Sequence, residues 1–133
     1  MCFFVNDSRN FVKKNVQARK CWKVVMIVND CMQAPYWNRN YEPFKTYSLG
    51  KLKIEFKTNA NTIEEGFHSF RYKDDAIKLV GRLNREYKDP HIVVSAEIPE
   101  KASYYFNDEH YVSDQFRITE DGVARFYAGG DLC

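Results

Sequence analysis

The chain has 133 residues, 44% of them hydrophobic and 29% charged, with a formal net charge of +2. That length fits one domain with its own core rather than two, and the apolar content excludes a disordered chain. No apolar run approaches the roughly 20 residues that span a bilayer. The longest, Val24 to Val28, has the length of a buried strand. The start Met1-Cys2-Phe3-Phe4-Val5 is too short for a secretory signal and has no basic residues before it, so a cytoplasmic location is expected.

Residues Asn6 to Lys20 are polar and basic, and they read as a peripheral N-terminal segment (1–20) of a single domain over 1–133. Cys21 to Val28 is a strand rich in β-branched residues, stopped by Asn29-Asp30. Residues 31–46 carry Pro35 and Pro43 among Tyr36, Trp37, Tyr41 and Phe44, which predicts an aromatic-studded loop with little core to fill. Leu52, Ile54 and Phe56 alternate with Lys51, Lys53, Glu55 and Lys57, a strand with one basic, wet face, and Asn59 to Thr62 reads as the next turn. Ala76, Leu79, Val80, Leu83 and Tyr87 repeat at helical spacing, with Asp74 and Asp75 in the first turn and Pro90 beyond the end; this predicts a helix over 73–87. His91 to Ile98 is a strand ended by Pro99, followed by an extended Tyr104 to Phe106, a turn at Asn107-Asp108, an extended Tyr111 to Ile118 and a last short strand, Val123 to Tyr127. The expected fold is α+β: a mostly antiparallel sheet of five or six strands with one main helix.

Chemistry is sparse. Cys2, Cys21, Cys31 and Cys133 form no CxxC pair, and His68, His91 and His110 stand apart from one another in sequence, so neither a metal nor a cofactor is expected. No phosphate loop, nucleophile elbow or catalytic carboxylate pair is recognisable, and Glu64-Glu65 reads as a solvated turn. Aromatic residues make up 16% of the chain, and the rings of Tyr36, Trp37 and Tyr41 near Lys23, Lys51 and Lys53 suit stacking and phosphate contacts with a nucleotide. Gly66-Phe67-His68-Ser69-Phe70 has two readings: His68 and Ser69 as polar contacts for an anion before the helix, or a plain turn and strand with Phe67 and Phe70 in the core. Charge is uneven along the chain, +7 over residues 1–60 and −5 over 61–133. Either the first half faces an anionic partner, or the halves interleave in space and the field cancels.

Met1-Cys2-Phe3, Cys21-Trp22-Lys23-Val24, Glu65 to Phe70 with the following helix, Ile98-Pro99 and Tyr111-Val112-Ser113-Asp114 resemble, in that order, a family of small uncharacterised proteins of bacteria and their phages. A weaker resemblance is to the ADP-ribosyltransferase-like fold, in which a first strand, a Gly-Phe-x-Ser/Thr strand, a helix and a later Ile-Pro strand occur in this order. That resemblance implies a nucleotide pocket without catalysis, because the first strand offers Lys23 and the matching later strand offers only Glu97.

The resulting expectation is a non-enzymatic phage-type protein that binds and sequesters a nucleotide-derived host immune signal in the host cytoplasm. Its expected ligand contacts are Lys23, Tyr36, Trp37, Tyr41, Lys51, Lys53, His68 and Ser69. The alternatives are a protein-binding inhibitor of a host defence complex, in the manner of anti-CRISPR proteins, and an ADP-ribosyltransferase-like enzyme. No membrane partner is expected, and a homo-oligomer that completes a pocket is compatible with the small size.

Overall fold

The β-branched run at Cys21–Val28 becomes the middle of the fold, as strand β3 (Arg19–Val28). In the computed structural model, residues 3–5, 11–12, 14–35, 39–49, 53–57 and 60–129 are described, with backbone course only for 3–5, 11, 53–57 and 60–65. Strand β10 (His91–Ile98) runs antiparallel to β3 over eight consecutive pairs, from His91 opposite Met26 to Ile98 opposite Arg19. Side-chain alternation then divides the two strands between two cores. Cys21, Val25 and Ile27 join Ile92, Val94, Ala96 and Ile98 on one face. Val24 and Val93 face the other way, under helix α1 (Lys73–Glu86), whose Ala76, Val80 and Leu83 cover them.

The helix occupies nearly the expected span. Its apolar stripe docks on the sheet, and the Asn84 side chain clasps the start of β10 by accepting from the His91 N–H (2.7 Å) and donating to the His91 carbonyl (3.1 Å). Asn29 and Asp30 close the hairpin from β3 to β4 (Cys31–Gln33) with positive φ at both residues (50° and 62°), the conformation a two-residue hairpin turn requires and Asn and Asp tolerate.

On its other edge β3 is shared by β4 and by β9 (Phe67–Phe70). Beyond β9 come β12 (His110–Ser113), β11 (Tyr104–Phe106) and β2 (Phe11–Val12); beyond β10 come β13 (Gln115–Ile118) and β6 (Thr46–Ser48), while β5 (Asn40–Tyr41) pairs with β4. Only Asp114 separates β12 from β13, so a single bent strand supplies both flanks and the sheet must curl. Phe67 on β9 and Phe116 on β13 accordingly stack at 5.8 Å. In a flat sheet three strand spacings would hold them about 14 Å apart. Asp114 stitches the bend: its amide donates to the Ser103 carbonyl, its carboxylate accepts from the Ser103 amide (2.9 Å), and its carbonyl accepts from the Leu49 amide. A separate three-stranded sheet has the order β1 (Phe3–Val5), β8 (Ala60–Glu65), β7 (Lys53–Lys57).

The α+β class is observed, but the sheet is larger than expected: ten strands in the curled sheet and three in the second, among the described residues. Part of the surplus lies in residues 31–46, expected to be loop, which contribute β4 and β5. These strands are two or three residues long, too short to show a period, and are formed by hairpin pairing of β4 with β3 and of β5 with β4. Residues 60–62, expected to be turn, belong to β8. The expected last strand is a helix, α2 (Gly122–Tyr127): Asp121 accepts from the Ala124 amide at 3.0 Å as an N-cap, and Gly122 sits against Val94, Met32 and Ile92, where a side chain would not fit.

The two unlike halves interleave. β3 pairs with β10, β6 with β13 and β2 with β11, each joining the basic half to the acidic one. Among the described residues, no helix is long and apolar enough to cross a membrane.

Candidate functional site

β9 touches the β3 ladder at one pair only, Phe70 opposite Trp22, and β4 takes up the same edge from Met26 onward. Lys23, Val24 and Val25 are therefore left without a ladder neighbour on that edge. Continuing the register would set Val24 opposite His68. Instead the strands fork, and the His68 carbonyl accepts a 2.6 Å hydrogen bond from the Lys23 ammonium.

A cavity of about 60 Å³ occupies the fork. Lys23 and Ser69 reach it from the concave face, His68 and Phe70 from the helix-facing side, with Pro35 and His110 completing the rim. The cavity's size suits a molecule or group of a few heavy atoms; pockets for drug-sized ligands run from about 300 Å³. Among the described residues, no three His, Cys, Asp or Glu side chains group as a metal site.

The surroundings of Lys23 are aromatic. Its Nζ lies 5.8 Å from the Phe116 ring centroid and 6.0 Å from that of Tyr41, within cation–π range. Burial, and then the nearby Arg39 guanidinium, push the Lys23 pKa down to about 8. Arg39 itself lies over the Phe67 ring at 5.1 Å. Among the described residues, no carboxylate lies within ion-pair distance of either cation. Burial first, and then the charge of Lys23, push His68 down to about 3, so this imidazole is neutral at ordinary pH. His110 is lowered by burial, against the opposing pull of Glu109 and Asp75. The fully buried Cys21 thiol, beside the Ser69 hydroxyl, is raised to about 12 and is no nucleophile.

Three of the sequence-derived contacts, Lys23, His68 and Ser69, thus share one cavity wall. Tyr41 is on the far side of Lys23, but it is 5% exposed and packed edge-on against Tyr47 and Phe116, so its ring is core rather than an open stacking face. Lys53 stands in the other sheet, opposite Glu65 in register. Tyr36, Trp37 and Lys51 lie outside the described residues.

No family model, curated protein or solved structure matches the chain.

The site's geometry does not assemble a transferase pair. Lys23 is opposite Val94 and Glu97 is opposite Lys20, an odd number of residues along uninterrupted strands, so Lys23 and Glu97 project from opposite faces. Sequence reasoning missed Arg39 and the meeting of His68 with His110. The two histidines are 42 positions apart and come together because β12 pairs with β9, Val112 opposite His68 and His110 opposite Phe70.

Proposed function

We propose that this chain is a non-enzymatic binding protein that sequesters a nucleotide-type anionic small molecule, its phosphate entering the strand fork. One observation carries the reading: the Lys23 ammonium is held beneath aromatic rings beside a second cation, with a carbonyl as its partner and, among the described residues, no carboxylate. Two cations gathered without a counter-charge among those residues attract an anion. His68 and Ser69 line the same cavity, whose volume of about 60 Å³ leaves base and sugar outside it. Tyr36, Trp37, Lys51 and Lys53 remain proposed outer contacts on the sequence argument alone. In the phage setting implied by the family resemblance, retention of a host signalling nucleotide would blunt antiviral defence.

The test is a thermal-shift panel of cyclic di- and trinucleotides, ADP-ribose and inorganic phosphate. A ligand at a hundredfold excess over its Kd stabilises by about 2.7 kcal/mol, a rise of roughly 10 °C for a domain of this size. The rise should be lost in Lys23→Met. A flat response across the panel overturns the reading.

A protein-binding inhibitor is the second reading, and Phe44 favours it. This residue follows Pro43, has a left-handed backbone (φ 65°) and exposes over half of its surface. A bulky side chain held so at a turn is costly and is found at recognition sites. Loss of a stoichiometric host partner on Phe44→Ala, with the fold intact, would support it over the nucleotide reading.

A further inference from the structure

Apart from holding an anion in its charged form, Lys23 has the surroundings of an amine nucleophile. Lysine becomes nucleophilic near neutral pH when it is desolvated by apolar walls beside another cation. Both conditions are met by the rings of Phe116 and Tyr41 and by the neighbouring Arg39. Among the described residues the ammonium is tied by a carbonyl and by no carboxylate, so loss of its proton breaks no ion pair with them. Lys23 is among the residues lining a cavity with room for only a few heavy atoms, and its Nζ reaches the carbonyl of His68, another lining residue.

We propose that Lys23 is a carbonyl-capturing amine, which condenses with an aldehyde of two or three carbons in the strand fork to form an imine. The nitrogen lone pair adds to the carbonyl carbon, and the oxygen takes up a proton to give a carbinolamine. Nitrogen then gives up its remaining hydrogen as the hydroxyl leaves as water, forming the C=N bond. One water is released and no oxidant or reductant is needed. His68 and His110, both kept neutral by burial, stand at the cavity wall to accept and return the proton. This activity is independent of the anion-binding reading, since it uses the neutral form of the same nitrogen.

The test is reductive trapping. The folded protein is incubated with acetaldehyde and cyanoborohydride at pH 7.5, and ethylated lysines are located and timed by peptide mass mapping. Acetaldehyde is uncharged, so failure of the anion reading leaves this result untouched. A lysine titrating near 8 has far more neutral amine at this pH than an ordinary one, and its lower basicity offsets part of that advantage. Lys23 is expected to react at least about tenfold faster than the exposed Lys45 and Lys78. The advantage should vanish in denaturant. Labelling of Lys23 no faster than that of Lys45 and Lys78 in the folded protein overturns the proposal. The comparison is made within one chain, so it requires no variant to fold.

Discussion

Lys23 serves with its side chain the carbonyl of His68, which a strand neighbour would have served had β9 stayed on the β3 ladder. The bond closes a fork in the sheet with a charge, at the cost of holding that charge among aromatic rings. A base whose folded pKa lies below its unfolded value penalises the folded state while it is protonated in both. The penalty lifts as pH rises from the folded pKa to the unfolded one, about 8 to 10.5 for Lys23. Over that window the wild type should gain about 2 to 3 kcal/mol of stability relative to Lys23→Met. Cys21 and Tyr41, both raised to about 12, act in the opposite sense above pH 9 and 10, and the variant shares them, so they cancel in the difference. Urea unfolding of both proteins at several pH values checks it; parallel stability curves would show that Lys23 is an ordinary solvated lysine.

His68 makes the complementary prediction at acid pH. Its folded pKa, about 3, lies below its unfolded value near 6.5, so its contribution is complete above 6.5 and is lost as pH falls toward 3. His68→Gln keeps the backbone carbonyl that Lys23 uses and removes the titration. Its stability should fall less than that of the wild type over this window, by about 2 to 4 kcal/mol. Proton NMR offers a direct check: the His68 ring resonances should not move between pH 5 and 8, and a normal titration there would refute the burial argument.

Gly122 tests the seating of the second helix. A Cβ at this position would come within 2.7 Å of Val94 Cγ1 and 2.8 Å of Met32 Sδ, both in the core. Gly122→Ala should cost about 1 to 3 kcal/mol through this crowding, despite the better helix propensity of alanine. Asp121→Ala removes only the bond to the Ala124 amide and should cost about 1 kcal/mol. Thermal unfolding distinguishes the two, and a stabilised Gly122→Ala would mean that α2 stands off the sheet.

What could be read in advance follows the range of the interactions involved. The Ala76-Val80-Leu83 stripe and the Val24–Val28 run are local periodicities, and both elements form where the pattern puts them. Val123 to Tyr127 carries strand-favouring Val, Phe and Tyr, but an N-cap at Asp121 and the close approach at Gly122 favour a helix there, and the second of these is a tertiary fact. Tyr41 looked like a surface ring because two prolines flank its segment. It is core because β5 pairs with β4 and the sheet curls Phe116 up to meet it. Lys23, His68 and Ser69 could each be singled out by residue type. That a fork gathers the three, and adds Arg39 and His110, depends on strand pairings spanning more than 40 residues.

The Phe67–Phe116 stack holds the curl, and its removal gives the largest expected effect. Phe116 is fully buried, lies nearly parallel to Phe67 (16°) and meets Tyr41 edge-on at 5.7 Å. Phe116→Ala should cost about 3 to 5 kcal/mol, the range for emptying a large aromatic site in a packed core. Phe116→Leu retains much of the volume, should cost clearly less, and removes the ring under the Lys23 ammonium. With one cation–π partner gone, the charged form of Lys23 loses support, and its pKa should fall below that of the wild type. The pH dependence of lysine labelling in Phe116→Leu reads that fall directly. A raised pKa in this variant would mean that water enters the fork and solvates the ammonium better than the ring does.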